Sequence, residues 1–249
     1  MILSVITVFR LGNINDLKST LESLKSQKDK KFEHILVISG IENESEFLKT
    51  VNYPDGHFIL NKDKSIYHAM NIGLQNATGD ALFFLNGGDQ FNCDDAIQLI
   101  LNDIENADCV VYRTLQYIGK DGYIRPKMQR LKTLLNYPAH QGFAVRTDYV
   151  NECKIDFIDH PYSIASDLYW MRKLMNDARV VVSKVVIAKF SLGGISNRPS
   201  FLTCKRRWNE EGIIAFFKEI LKYFLLILLK EKYYYRLIYI SKYERVELD

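Results

Sequence analysis

Cysteine is scarce and scattered in this 249-residue chain: Cys93, Cys109, Cys153 and Cys204 form no CxxC pair and have no histidine at ligand spacing. A zinc site or a disulfide framework is thereby excluded, and reduced thiols of a cytosolic protein are expected. Proline and glycine number only five and thirteen, too few for a collagen-like or linker-dominated chain. No apolar run reaches the ~20 residues of a membrane-spanning helix; the richest, residues 223–229, is far shorter. The opening MILSVITVFR lacks a basic leader and a small-residue cleavage site, so it reads as a strand and not as a signal peptide. Neither sign of charge dominates: 33 Lys and Arg against 30 Asp and Glu leave a net +3, no footprint for nucleic acid. There is no GxGxxG after the first strand, no P-loop and no GxSxG, so these three chemistries are unsupported.

An apolar fraction of 47% is enough for a substantial core. Short apolar runs at residues 2–8, 34–38, 58–60 and 81–85 read as buried strands, with later ones at 109–112 and 180–188. Helical spacing lies between them, as in Ile14, Leu17, Leu21 and Leu24 behind a cap at Asn13 or Asn15. Further helices are expected from the segment holding Glu42, Glu44 and Glu46, and over residues 65–77 and 94–106. This rhythm predicts α/β architecture with a mainly parallel sheet, whose ligands bind beyond the carboxyl ends of the strands. After Tyr112 the rhythm loosens. Residues 113–132 hold six Lys and Arg against Asp121, which reads as a solvated basic loop or a phosphate-facing surface.

The segment Asn86-Gly87-Gly88-Asp89 ends the most apolar strand. Two glycines let backbone approach a ligand closely, and a carboxylate there suits a hard cation that holds a diphosphate. His34 lies in a strand and reads as a packed core histidine; His140, in Pro138-Ala139-His140-Gln141-Gly142, reads as part of a polar loop entering a site.

Residues 63–89 carry more. Asp63-Lys64-Ser65-Ile66-Tyr67-His68-Ala69-Met70-Asn71-Ile72-Gly73, then Ala77-Thr78-Gly79-Asp80, then Phe84-Leu85-Asn86-Gly87-Gly88-Asp89 resembles the inverting glycosyltransferases of family 2. It is most similar to the bacterial branch that builds capsule, colanic-acid-type and O-antigen polysaccharides. Ser4-Val5-Ile6-Thr7-Val8 resembles the family's nucleotide-binding opening, His140-Gln141-Gly142-Phe143 its HQ-x-F segment, Ala165-Ser166-Asp167 its catalytic acid, and Gly193-Gly194-Ile195-Ser196 a late GGxS. Together these cover roughly residues 1–200.

The resemblance implies a GT-A fold, Rossmann-like and flanked by helices. It implies a nucleotide-diphosphate-sugar donor, with UDP-sugar expected, and a divalent cation, Mn²⁺ or Mg²⁺. Donor binding falls to Thr7, Val8, Asp63, Asn71, Asn86, Gly87 and Gly88, and the metal to Asp89. Asn86 and Gly88 stand where many relatives carry Asp, so one strong metal ligand remains. Asp167 matches the general base of an inverting transfer, with Asp156 and Asp159 as rivals. As a plain structural feature, Asp167 would be the N-cap of a helix carrying Leu168, Met171, Leu174 and Met175. The expected product is a hexose or N-acetylhexosamine joined to a growing glycan, carried on a polyprenyl diphosphate. Other readings are a non-catalytic assembly subunit that keeps the fold, and a sugar nucleotidyltransferase. The latter needs a Gly- and Arg-rich loop after the first strand, unlike residues 8–13.

Two regions are expected: a catalytic domain over residues 1–204 and a helical extension over 205–249. In the extension Phe216, Phe217, Ile220, Leu221, Phe224 and Leu228 recur at helical spacing, interleaved with Lys218, Lys222 and Lys230 and followed by a tyrosine-rich basic stretch. That composition fits peripheral attachment to the cytoplasmic face of a membrane, or a helix packed on the catalytic domain or on a second subunit.

Overall fold

The computed structural model describes residues 1–10, 12–41, 44–51, 57–61, 65–136, 138–157, 165–193 and 198–248. Four strands form a parallel half-sheet: β1 (Leu3–Arg10), β2 (Phe32–Ser39), β3 (His57–Asn61) and β4 (Ala81–Phe84), in the order β3-β2-β1-β4. The connections are α1 (Ile14–Lys25), α2 (Glu44–Val51) and α3 (Ile66–Asn76). Their starts follow from local chemistry: the Asn13 side chain accepts from Asn15 N at α1, and Ser65 accepts from His68 N at α3. β1 is buried on both faces. Leu3 and Val5 join one apolar cluster with Leu17, Leu21 and Ile100, while Ile6 and Val8 join another with Met70, Trp170 and Leu174. Gly73 permits the close approach of α3, since a Cβ there would sit 2.4 Å from Ile6 Cγ2.

Beyond β4 most pairings are antiparallel, with one long parallel pair among them, so the sheet as a whole is mixed. After β5 (Gln90–Phe91) and α4 (Ala96–Ile104) come β6 (Cys109–Ile118), β7 (Asp121–Arg125) and β8 (Phe143–Arg146). β8 inserts between β4 and β6, antiparallel to both. α5 (Thr147–Cys153), α6 (Ser166–Met175) and β9 (Val180–Ser191) follow, and β9 pairs with β5 and β6. The strand expected at 109–112 therefore runs on to Ile118 and folds back as a hairpin, where a loop was expected. Thr114 and Gln116 are buried there despite their polarity; Thr114 lies against the turn at Gly142, where a Cβ would come within 2.9 Å of its Cγ2. Arg113 is no surface cation either. It donates Nε to Pro126 O at 3.0 Å and pairs with Glu244 at 2.5 Å. Asp167 is not a cap: α6 is preceded by Ala165, and Asp167 lies in its first turn.

The C-terminal segment forms α7 (Phe201–Glu211), α8 (Ile213–Leu228), α9 (Glu231–Tyr239) and β10 (Glu244–Glu247). β10 pairs antiparallel with β7, at the edge of the sheet. Tyr234 and Tyr235 of α9 are buried with Tyr123 and Leu192. Asp121, with its side chain only 3% exposed, accepts from Arg245 at 2.6 Å and Arg236 at 3.2 Å and pairs with Lys232 at 3.0 Å. The basic residues of α9 and β10 thus face the protein.

Arg245 foremost, with Lys232 and Arg236, holds the Asp121 carboxyl well below the usual carboxylate range. Its folded pKa lies below the unfolded value of ~3.9. The stabilisation is therefore complete above that value and is lost as pH falls below it. Amides of residues 231–247 should lose hydrogen-exchange protection in acid. Asp121→Asn should lower their protection at neutral pH by roughly 1.5–3 kcal/mol, as expected for charged hydrogen bonds. Equal protection in variant and wild type at neutral pH would rule out this anchor.

Candidate active site

Strand β4 ends in a tight loop at the carboxyl ends of β1 and β4. Backbone bonds fix it: Leu85 N to Ile6 O at 3.0 Å, Gly87 N to Val8 O at 3.0 Å, and Asp89 N to Asn86 O at 2.9 Å. Gly88 has φ +101°, a left-handed value that favours glycine, and its N–H donates to Thr20 Oγ1 at 2.9 Å. Gly87 lies against β1, where a Cβ would come within 2.4 Å of the Phe9 ring. Inside the loop Asn86 N donates to Asp89 Oδ2 at 3.2 Å.

Asp167 reaches this loop from the first turn of α6, and His140 stands between the two acids. His140 Nδ1 is 2.9 Å from Asp167 Oδ2, while its Nε2 faces Asn86 Nδ2 at 3.2 Å and Asp89 Oδ2 at 3.7 Å. Burial alone would lower the His140 pKa, but hydrogen bonds and charge from Asp167 and Asp89 raise it to about 9. Burial alone would push Asp167 up, and the His140 bond and charge more than offset this, holding it below the ordinary carboxylate range. Asp167 is therefore ionised at neutral pH, as a base must be.

Aromatic packing sets this spacing. Trp170 of α6 stacks on Phe157 at 4.5 Å and meets Phe84 and Phe143 edge-on, each at 6.0 Å. Phe84 ends β4 just before Asn86, and Phe143 follows the His140 turn. One ring cluster thus ties together the three segments that carry Asp89, His140 and Asp167. Trp170 Nε1 donates to Ile155 O at 2.8 Å, so its polar edge is satisfied.

The expected donor-site residues divide. Asn86, Gly87, Gly88 and Asp89 form the loop. Thr7 is fully buried, donating to Leu85 O at 2.7 Å and meeting His34 Nε2 at 2.8 Å. Val8 is buried and contributes its carbonyl to Gly87. Asn71 clamps Phe157, donating Nδ2 to its carbonyl at 2.9 Å and accepting its N–H at 2.8 Å. The side chains of Thr7 and Asn71 thus shape the walls and do not line the loop. Asp63, Asp159 and Gly194-Ile195-Ser196 lie outside the described residues, and Asp156 is exposed. His34 is the core histidine expected, burial lowering its pKa to about 3. Sequence reasoning placed His140 in a site loop without finding its bridging position; the HQ-x-F segment was the available signal.

Among the described residues no three His, Cys, Asp or Glu side chains cluster as a closed metal cage. The loop nonetheless offers oxygen donors. Asp89 is a carboxylate, and Asn86 Oδ1 is buried with no hydrogen-bond partner in the protein. Two protein oxygens, completed by diphosphate and water, fit a hard divalent cation.

These features define an α/β fold of the GT-A glycosyltransferase type, and solved structures of that type resemble it. TarS of S. aureus in complex with UDP-GlcNAc superposes with a TM-score of 0.62 at 16% identity, covering 79% of this chain and 60% of that one. A mannosyltransferase from Pyrobaculum calidifontis in complex with GDP-Man and Mn²⁺ gives 0.58 at 11% identity, covering 88% of this chain and 64% of that one. This chain thus spans about three-fifths of residues 1–349 of TarS and 37% of the longer TarS structure. Two uncharacterised glycosyltransferases of Mycobacterium tuberculosis, from strains CDC 1551 and H37Rv, are 23% identical over 203 residues, 78% of this chain and 76% of theirs. The model of glycosyl transferase family 2 matches residues 4–160: the chain belongs to that family.

Proposed function

We propose that this protein is an inverting glycosyltransferase. It transfers a hexose or N-acetylhexosamine from a nucleotide-diphosphate sugar, a UDP-sugar foremost, to a growing surface glycan carried on a polyprenyl diphosphate at the inner face of the plasma membrane. The observation that carries the reading is the pairing of Asp89 and Asp167 across His140 at the carboxyl ends of β1 and β4. Support for the donor comes from the nucleotide sugars bound by the TarS and Pyrobaculum structures.

The residues divide the chemistry. Gly87 and Gly88 let the diphosphate approach the loop backbone closely, and Asp63 takes its role in the donor's base or ribose from the family resemblance. Asp89, with Asn86 Oδ1, would hold a divalent cation, which supplies charge neutralisation on the leaving diphosphate. Asp167 accepts the proton of the acceptor hydroxyl as that oxygen attacks the anomeric carbon from the opposite face. His140 Nδ1–H keeps the carboxylate oriented.

The test is slow donor hydrolysis without acceptor. A panel of nucleotide sugars is first ranked by the stabilisation that binding gives the fold. The best donor should be hydrolysed with Mn²⁺ or Mg²⁺ and left intact in excess EDTA. No stabilisation by any donor and no hydrolysis would favour the non-catalytic assembly subunit instead. Full turnover in EDTA would remove the metal role alone.

A further inference from the structure

Helix α8 is built inside out. Its acid, Glu219, is turned inward and buried, with Lys222 at 2.8 Å and Arg207 at 3.9 Å. Leu225 and Leu226 pack against the Tyr234–Tyr235 cluster, but the larger part of its apolar surface faces solvent. Ile214, Phe217, Leu221, Phe224 and Leu228 are 70, 59, 60, 56 and 78% exposed. Their spacing of three and four residues makes one continuous stripe along the helix. Ile213 and Ile227 widen it, each more than half exposed. An amphipathic helix of a monomer in water carries its apolar face inward, so this stripe marks a contact surface.

Its chemistry selects the occupant. α8 carries three charges, Lys218, Glu219 and Lys222. Glu219 is withdrawn and paired with Lys222, so the exposed charge that α8 sets beside the stripe is Lys218, and exposed Lys230 follows just past its end. Trp208 packs edge-on against Phe216 at 4.9 Å near the start of α8 and is half exposed, as a ring at a lipid headgroup boundary would be. No described helix is long and apolar enough to cross a bilayer. At sixteen residues α8 suits lying flat, with a length of about 24 Å.

We infer that the outward stripe of α8 docks the protein on an anionic lipid surface, its apolar residues entering the headgroup boundary and its lysines meeting the lipid phosphates. This rests on the reading above for where the acceptor sits. Tyr234, Tyr235 and Arg236 of α9 take no part: they face inward, against Tyr123 and Asp121.

The experiment is flotation of the full-length chain with vesicles of phosphatidylglycerol and phosphatidylcholine in equal parts, against phosphatidylcholine alone. Wild type should float with the anionic vesicles and be released by salt. Leu221→Glu combined with Phe224→Glu should cut binding at least roughly tenfold, since each loses a buried apolar side chain. Lys218→Ala should weaken it roughly fivefold, about one lysine's attraction to anionic lipid. Thermal melting and donor hydrolysis in vesicle-free buffer should match wild type for all of them. A chain that stays with neither vesicle overturns the inference. So does one that is dimeric by light scattering and becomes monomeric with Leu221→Glu, because then a second copy covers the stripe. Vesicle binding without donor hydrolysis would sink the transferase reading and leave the docking surface intact.

Discussion

Asp167→Asn should lower sugar transfer by about 10²–10⁴-fold, the usual worth of general-base assistance, while the fold and donor affinity stay close to wild type. The substitution keeps the side chain's shape and an oxygen that can still accept from His140 Nδ1. Asp167 is not the cap of α6, so the helix loses only a favourable charge in its first turn, about 0.3–1 kcal/mol. What disappears is the ability to take the acceptor's proton. The loss belongs in kcat, because that proton moves only in the transition state. Asp156→Asn should be mild, as that residue is exposed beside the aromatic cluster. Steady-state transfer to the true acceptor, with donor binding measured in parallel, decides it. If Asp167→Asn transfers at the wild-type rate, the base lies elsewhere.

Asp89→Asn should cost about 10²–10³-fold in metal-stimulated donor turnover, comparable to removing one electrostatic donor from a transition-state site. The amide can still accept from Asn86 N, so the loop should hold its shape and melting should fall by no more than about 1 kcal/mol. Asp89→Ala lacks that bond and should lose more stability for a similar loss of turnover. Titrating Mn²⁺ separates binding from chemistry. The Asn variant should need much higher metal for its residual rate, because an amide oxygen is a weaker ligand than a carboxylate. An unchanged metal requirement would exclude Asp89 as the ligand.

The parallel half of the fold was legible because its strands are short, uniformly apolar and separated by capped helices, as Asn13 and Ser65 illustrate. The antiparallel half was not. In β6 and β7 polar residues interrupt the apolar ones, and Arg113, Thr114 and Gln116 are buried all the same, Arg113 by pairing with the distant Glu244. Residues 113–132 therefore looked like a basic loop. The same limit applies to the tail: its amphipathic spacing was visible, but which face points inward depends on Glu219 meeting Arg207 of α7 and on Asp121 finding its cations across the chain. At the site, the loop of residues 86–89 could be placed from its own glycines. The bridge through His140 could not, because it needs the register of β8 and the tilt of α6, both set by aromatic packing around Trp170.

The pairing of β10 with β7 has a consequence for how the molecule is made. Arg113 meets Glu244 across 131 residues of chain, so synthesis delivers the hairpin long before its cover. During that interval β7 presents an open edge, and Asp121 waits without its three cations. An open edge is a template for pairing with other chains, and Tyr123 then lacks the α9 tyrosines that bury it. Nascent chains halted anywhere in α7 to α9 should therefore be the aggregation-prone species, and chaperone capture would concentrate on that window.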